Sequence, residues 1–202
     1  SGPFCAGGEC VWTGDSNHDG KVDVRDLLPI GLCMGEVGTA RPNAALEWYG
    51  QYSNDWNSYL AQMGFDVKHI DTDGDGYVTS VDTTAIGEFY GNYNNLTSQS
   101  VNSFSNLPFF IEEPDLTGIE PGDIITTNIW LGTSSVPAYD AYGLTFQLLY
   151  DPLLFEAVNV NFDEFSWMSY DSPILTMVKK PESGKVDAGY TRTSGVSGNG
   201  YG

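Results

Sequence analysis

Two stretches of the chain place oxygen-bearing side chains at the spacing of a twelve-residue calcium loop. The first begins at Asp15 and the second begins 56 residues later, at Asp71. Loop positions 1, 3, 5 and 12 carry carboxylate or amide oxygens in both, and position 6 is glycine, which permits the sharp turn there. Calcium is a hard cation that takes six to eight oxygen ligands. The sequence therefore predicts two Ca²⁺ ions, one in each loop.

The predicted ligands occupy equivalent positions of the two loops. Position 7 contributes a backbone carbonyl, and position 9 binds directly or through water. The predicted ligands are Asp15, Asn17, Asp19, the Lys21 carbonyl, Asp23 and Asp26 in the first loop, and Asp71, Asp73, Asp75, the Tyr77 carbonyl, Thr79 and Asp82 in the second. Magnesium fits less well because it keeps its water ligands. The alternative, two loops of Asx-turns without metal, is the weaker one because the pattern recurs with matching flanks. The predicted role of the metal is structural.

Each loop leads into a predicted helix that fixes its last ligand. Asp23 and Thr79 are suited to cap helices over residues 24–34 and 80–90. Pro29 lies inside the first helix, where it predicts a kink or a short first segment because proline lacks the backbone donor.

Two further pairs of equivalent residues predict contact between the copies. Gly31 leaves room for close approach by a neighbour, for which its counterpart Gly87 is a candidate. Val22 and Val78, at position 8 of each loop, are predicted to pair as a short strand.

The insert between the copies is rich in aromatic residues. These are Trp48, Tyr49, Tyr52, Trp56 and Tyr59. They could form a surface for stacking sugars or for a partner. They could instead cover the apolar faces of the two helices, which cannot close a core alone, and we favour this interpretation. Part of the insert, residues 54–63, is predicted to be helical.

The composition excludes several classes of partner. The chain has 8 basic and 27 acidic residues, a formal charge of −19. It has no basic stripe that could neutralise phosphates, which argues against nucleic acid and against an anionic membrane surface. No apolar run is long enough to span a membrane. The aromatic fraction of 13% favours a folded, β-rich or aromatic-cored protein over a disordered acidic tail.

Three cysteines leave at least one thiol unpaired in any scheme within the chain. In an oxidising compartment we expect Cys5–Cys10 or Cys10–Cys33 to form a disulfide. Three buried thiols are the alternative.

The second half of the chain has the pattern of short strands separated by turns. Strands are predicted over residues 109–111, 124–131, 144–149, 154–160, 174–179 and 185–191. The glycine-rich ending is untypical of a domain terminus, so we expect the last strands to lie elsewhere. The predicted fold class is α+β as two modules. The predicted organisation is a connector (1–10), a calcium-binding module (11–93), a linker (94–107) and an incomplete antiparallel β-sandwich (108–202).

The duplicated loops resemble a type I dockerin. The match is Asp15-x-Asn17-x-Asp19-Gly20-x-Val22-x-x-x-Asp26-Leu27 and its repeat over residues 71–82. Dockerins are duplicated, EF-hand-like calcium modules that bind cohesins, which are β-sandwiches. The copies here start further apart than in compact dockerins. The positions that dockerins use to recognise cohesin are Val24-Arg25 and Ser80-Val81 in this chain, not the usual Ser/Thr pair.

Two wider resemblances extend over most of the chain. Residues 108–202 look like a truncated cohesin, through Pro121-Gly-Asp123 and residues 144–152. A resemblance to the dockerin-like module of very large secreted proteins of gliding Bacteroidota is carried by residues 11–15, 26–32, 40–43, Trp56 and residues 68–71. Such proteins are exported by type IX secretion and act as adhesins or surface filaments. The resemblance implies an extracellular, cell-surface location.

The leading hypothesis is a calcium-stabilised structural or adhesive segment of a large extracellular bacterial surface protein, and not an enzyme. Open sandwich edges would suit subunit assembly, so a homo-oligomer or part of a fibre is expected. A second hypothesis is a dockerin–cohesin recognition scaffold that carries other proteins. A third is an acidic glycan hydrolase using Glu112-Glu113 or Asp163-Glu164, although solvated turn carboxylates explain those pairs better. Chelation is expected to unfold residues 11–91 and to leave the β part largely intact.

Overall fold

The computed structural model describes residues 5, 10–61, 63–94, 106–156, 158–163 and 165–202. These residues form an α+β structure of two short helices and several small antiparallel sheets. The helices are α1 (Leu27–Leu32) and α2 (Thr83–Phe89), and 3₁₀ turns occupy Val24–Asp26, Val67–His69 and Ser80–Asp82. The strands are β1 (Val11–Trp12), β2 (Gly50–Gln51), β3 (Tyr59–Leu60), β4 (Phe65–Asp66), β5 (Phe109–Ile111), β6 (Ile129–Leu131), β7 (Ala138–Ala141), β8 (Gly143–Leu149), β9 (Ile174–Lys179), β10 (Lys185–Arg192) and β11 (Gly198–Gly200). None of the helices in this described part has the length and apolar character that a bilayer crossing needs.

Both helical segments begin at the residues that the sequence predicts. The side chains of Asp23 and Thr79 accept backbone hydrogen bonds two residues ahead, and each starts a capping box with the aspartate at loop position 12. A 3₁₀ turn precedes each α-helix, so the predicted short first segment is present in both copies. Pro29 is not its cause, because the second copy has the same turn and no proline. The first helix ends at Leu32, earlier than predicted.

The two copies are joined crosswise. The backbone of Val22 exchanges hydrogen bonds with residues 91–92, and that of Val78 exchanges the equivalent bonds with residues 35–36. The predicted pairing of Val22 with Val78 is therefore wrong. Each loop pairs with the segment that follows the other copy's helix, which gives the duplication an approximate two-fold symmetry.

A single core cluster lies between the copies. Its buried members are Val22, Ile30, Cys33, Phe65, Val67, Ile70, Val78 and Ile86. Trp48 and Trp56 of the insert pack against it, as the covering interpretation predicts, whereas the Tyr52 and Tyr59 side chains are exposed. The predicted helix over residues 54–63 is wrong, because β3 pairs with β4 there. The Asp66 carboxylate accepts the N–H of Trp56, which connects the insert to the segment that precedes the second loop.

The β part is built around a three-stranded antiparallel sheet in the order β8-β10-β9. Four of the six predicted strands are present near their predicted bounds, namely β5, β8, β9 and β10. The prediction over residues 124–131 is reduced to β6, and Ile124 is 93% exposed. The prediction over residues 154–160 is wrong for the residues that are described, because the N–H groups of Leu154 and Phe155 turn back to the Asp151 carbonyl.

Two strands of the β part, β7 and β11, were not predicted. They pair with each other, and β11 consists of glycine and asparagine only. A Cβ atom on Gly200 would lie 2.7 Å from the ring of Trp167, so glycine is needed for this close approach. The backbone of Gly202 exchanges hydrogen bonds with Leu131 at the end of β6.

The loop–helix module packs on one face of the three-stranded sheet. A Cβ on Gly189 would lie 2.8 Å from the Val24 side chain, and one on Gly143 would lie 2.7 Å from Leu28. The side chains of Leu175 and Met177 from β9 join the core cluster of the module. Alternate residues of a strand point to opposite faces, and on the other face Tyr190 stacks with Phe162. The central strand β10 is therefore covered on both sides.

The first copy makes the close apolar contact with the body of the sheet, and the second copy reaches it through polar contacts such as the Tyr90 hydroxyl on Asp187. The first copy's helix presents Val24, Leu28 and Gly31, whereas the equivalent residues of the second copy are Ser80, Thr84 and Gly87. Gly31 faces Thr191 and Arg192 of β10, so its predicted contact with Gly87 is wrong. The apolar residues of copy one explain which copy lies against the sheet.

We expect Gly31→Ala to destabilise the protein. A Cβ there would collide with the Thr191 side chain and lie 2.7 Å from the Arg192 carbonyl oxygen. Overpacking of this kind costs on the order of 1–3 kcal/mol. Gly87→Ala is the matched control, because its Cβ would meet only the flexible end of Lys179 at 3.4 Å. Urea unfolding should show a clearly lower free energy of unfolding for Gly31→Ala. For Gly87→Ala it should show little change, or a small increase because alanine has the higher helix propensity. Equal losses would contradict the packing described.

Candidate metal centre

The aspartate at position 1 of each loop organises the loop backbone. The Asp15 carboxylate accepts the N–H groups of Asp19 at 3.0 Å and Gly20 at 3.1 Å. The Asp71 carboxylate accepts those of Gly74 at 2.8 Å and Gly76 at 3.1 Å. Both loops therefore wrap around their first predicted ligand, with glycine in the left-handed region at position 6 (φ +90° and +91°).

The aspartate at position 12 closes each loop onto the start of its helix. Asp26 accepts the N–H of Asn17 at 3.0 Å and that of Asp23 at 2.8 Å. Asp82 accepts the N–H of Thr72 at 2.6 Å and that of Thr79 at 2.8 Å. Both carboxylates are fully buried. The last predicted ligand is thus held by hydrogen bonds from both ends of its loop.

Three carboxylates converge in the second loop. Asp71, Asp73 and Asp82 each offer an oxygen within 4.8 Å of the others, and no second group of this kind occurs among the described residues. The donors are all oxygen, which matches calcium rather than a softer metal. The exposed Asp75 carboxylate accepts the Tyr77 N–H at 2.8 Å and lies at the rim of the loop.

The first loop differs because cationic side chains contact two of its predicted ligands. The Arg25 guanidinium lies 2.8 Å from the Asp19 carboxylate and 2.9 Å from that of Asp23. Lys21 Nζ lies 3.0 Å from the Asp23 carboxylate. The residue equivalent to Arg25 in the second loop is Val81, which carries no charge. The two sites are therefore equivalent in backbone and different in electrostatics, a point that could be found by aligning the copies residue by residue.

The remaining predicted ligands have structural contacts of their own. The side chains of Asp23 and Thr79 serve as helix caps. Lys21 and Tyr77, which supply the position-7 carbonyls, form isolated β-bridges to Tyr93 and Val37. Asn17 accepts the Asp19 N–H at 2.9 Å.

Burial raises the pKa of several of these carboxylates. Burial is the largest cause in each case, and it raises the pKa of Asp15 and Asp71 to about 7 and that of Asp82 to about 6. The pKa of Asp26 is raised well above its ordinary value, by burial and by the nearby Asp15 charge. The raised pKa values mean that the charged carboxylates are destabilised by burial. A bound cation would stabilise the charged form, so these residues fit a divalent metal ion.

A buried arginine supports the second loop and was missed from the sequence. Arg41 donates to the backbone carbonyls of Asp71 and Thr72, both at 2.9 Å, and to the Gln51 side chain at 3.0 Å. Its positive charge partly offsets the effect of burial on the pKa of Asp71. It holds the loop backbone and leaves the carboxylates to face one another. Its position in a long insert carries no periodic signal that could have revealed it.

Two of the three cysteines form a disulfide, and the third is a free thiol. Cys5 and Cys10 form a disulfide, which is one of the two pairings that the sequence left open. Cys33 is buried in the core cluster, and burial raises the pKa of its thiol to about 11.

Of the carboxylate pairs considered for hydrolysis, Glu112 accepts a hydrogen bond from Asn128 at 2.7 Å, and Glu164 lies outside the described residues.

Comparisons of the chain with protein-family models, with curated proteins and with solved structures find no match. The function of the loops is therefore inferred from their own residues.

We expect the metal-free protein to become more stable as the pH falls from 8 to about 6.5. The folded-state pKa of Asp15 and Asp71 is about 7, above the ordinary value of 3.8. Their contribution to stability is therefore fully present below pH 3.8 and is lost as the pH rises through 7. Below pH 6.5 the buried His69, whose pKa is lowered, opposes this trend. Urea unfolding in excess chelator measures the slope, and Asp71→Asn should reduce it. A flat profile in this window would contradict the effect of burial.

Proposed function

We propose that this chain is a calcium-stabilised structural or adhesive segment of a large extracellular bacterial surface protein. The observation that carries the proposal is the convergence of Asp71, Asp73 and Asp82 within 4.8 Å, in a loop that is duplicated 56 residues earlier. Three carboxylates held this close repel one another unless a cation or protons neutralise them. Two Ca²⁺ ions, one in each loop, are the proposed cofactors.

The proposed role of the metal is to stabilise the fold. Each loop supplies backbone hydrogen bonds to the segment after the other copy's helix, so both loops support the same core. That core includes Leu175 and Met177 of the sheet. The original expectation, that chelation spares the β part, is revised accordingly, because loss of the module would uncover one face of β10.

We expect calcium to raise the melting temperature by about 5–10 °C for each occupied site at a hundred-fold excess over its dissociation constant. Removing it with EDTA should lower the helical and the β circular-dichroism signals in one transition, because the module and the sheet share a core. Asp82→Asn should abolish part of the calcium effect, and Asp123→Asn, an exposed turn position, is the matched control. Melting that is the same in calcium and in EDTA would overturn the proposal.

The difference between the loops gives a second prediction. Arg25→Val copies the second loop into the first and removes a cation next to Asp19, so it should raise the calcium affinity of the first site about three-fold. Val81→Arg makes the reverse change and should weaken the second site by a similar factor. Calorimetric titration of both variants measures the two sites. Weaker binding by Arg25→Val, tighter binding by Val81→Arg, or no change in either variant would contradict the electrostatic asymmetry.

Assembly with protein partners is proposed on the surface properties of the β part. The outer strands β8 and β9 each have one unpaired edge within the described sheet, and the side chains of β5 are exposed. Open edges of this kind favour strand addition, which suits a homo-oligomer or part of a fibre. The Cys5–Cys10 disulfide supports an oxidising, extracellular environment such as the surface of a cell that uses type IX secretion.

The alternative is recognition in the manner of a dockerin and a cohesin. One observation favours it: Val24 and Leu28 of the first copy pack on an antiparallel sheet of the same chain. This contact uses the first copy within the molecule and leaves Ser80 and Val81 of the second copy exposed. Strictly pairwise binding to an isolated cohesin would support this alternative, and calcium-dependent oligomers at micromolar concentration would support assembly.

A further inference from the structure

We propose that the cleft between the end of the second copy and the turn joining β9 to β10 binds an anionic saccharide, one that carries carboxylate or sulfate groups. The cleft has a volume of about 450 Å³. Its lining includes four lysines and two tyrosines, namely Lys21, Lys179, Lys180, Lys185, Tyr90 and Tyr93. The proposal goes beyond calcium binding, because it assigns a second kind of ligand to a cleft that adjoins the first loop through the Lys21 side chain.

The charge of this cleft is opposite to that of the protein. The chain carries −19 overall and has five lysines, of which four line the cleft. The fifth, Lys68, is buried with its ammonium beside Asp55. Two carboxylates also line the cleft, and the Asp187 carboxylate already accepts the Tyr90 hydroxyl at 2.8 Å and the Gln147 amide at 2.9 Å. Lys21 pairs with Asp23 at 3.0 Å and Lys185 with Glu182 at 3.6 Å. Within the described part of the chain, Lys179 and Lys180 donate only to neutral groups, the Gly87 carbonyl and the Asn159 side chain. These two ammonium groups leave a small net positive charge in the concave surface, which attracts anions.

Two aromatic rings in the cleft offer apolar faces on which a sugar can pack. The Tyr93 side chain is 68% exposed, and Lys21 Nζ lies 5.7 Å from the centroid of its ring. Lys179 Nζ lies 5.8 Å from the centroid of the Tyr90 ring. An exposed ring beside an ammonium offers an apolar face to a sugar and a charge to its acidic group. The volume is within the range of small-ligand sites.

Other anionic partners fit less well. The proposed assembly with a second copy uses the open edges of β8 and β9, so it does not fill this cleft. A nucleic acid needs basic residues along its backbone, whereas these lysines surround one short cleft. A short acidic saccharide needs only a few charges and one stacking face.

The test is calorimetric titration of the calcium-loaded chain with four probes. Hyaluronan oligosaccharides carry carboxylates only, dextran sulfate carries sulfates only, dextran is neutral, and a single-stranded oligonucleotide tests for phosphate. We expect binding to one or both anionic saccharides that weakens with salt, and none to dextran.

The variants separate this cleft from general charge. Lys180→Gln with Lys185→Gln should weaken saccharide binding about ten-fold. The control Thr126→Glu with Ser134→Glu changes the net charge equally at exposed positions outside the cleft and should stay within about two-fold. Tyr93→Ala should also weaken binding, and Tyr93→Phe should restore it because the ring is retained.

Three results would overturn the proposal: no binding of either anionic saccharide, equal weakening by the control pair, or tighter binding of the oligonucleotide than of both saccharides. The calcium-dependent rise in melting temperature is measured on the same variants. Its retention in the lysine variant would keep the failure of this site distinct from the failure of the calcium sites.

Discussion

The two buried aspartates at the end of the loops, Asp26 and Asp82, hold each loop to the start of its helix, and the crosswise pairing of the copies depends on that geometry. Each accepts hydrogen bonds from the beginning of its loop and from the residue that caps its helix. Fixing the loop also fixes the strand segment at position 8, and that segment holds the other copy. The position of α1 on the sheet follows from the same constraint. Both carboxylates are buried, and burial raises the pKa of each, so each is costly to keep charged without a partner.

Much of this site could be predicted from the sequence because its logic is local. Ligand spacing, the glycine at position 6 and the helix caps at Asp23 and Thr79 all depend on residues within a dozen positions of one another. The strands β8, β9 and β10 were predicted for the same reason, since alternation and turn residues are short-range signals. The convergence of three carboxylates in the second loop is the product of such local rules.

The features that could not be predicted from the sequence depend on tertiary contacts. Val22 does not pair with Val78, since the partner of each loop is chosen by the fold of the other copy. Gly31 has the small size that its contact demands, but the sequence does not say that the neighbour is β10. Arg41 and the lysine cleft likewise depend on residues far apart in the chain. The helix predicted over residues 54–63 is absent because β3 pairs with β4, a contact that the sequence pattern does not show.

The crosswise pairing of the copies also bears on how the chain acquires its structure. Val22 cannot complete its backbone bonds until residues 91–92 are available, and α1 has no surface to rest on until β10 is present. The first copy therefore has few native partners while it is newly synthesised, and its contacts close loops of about seventy residues or more. Such long-range closure slows folding. A chain built this way becomes compact late in its synthesis, after residues 91–92 and strand β10 have been made.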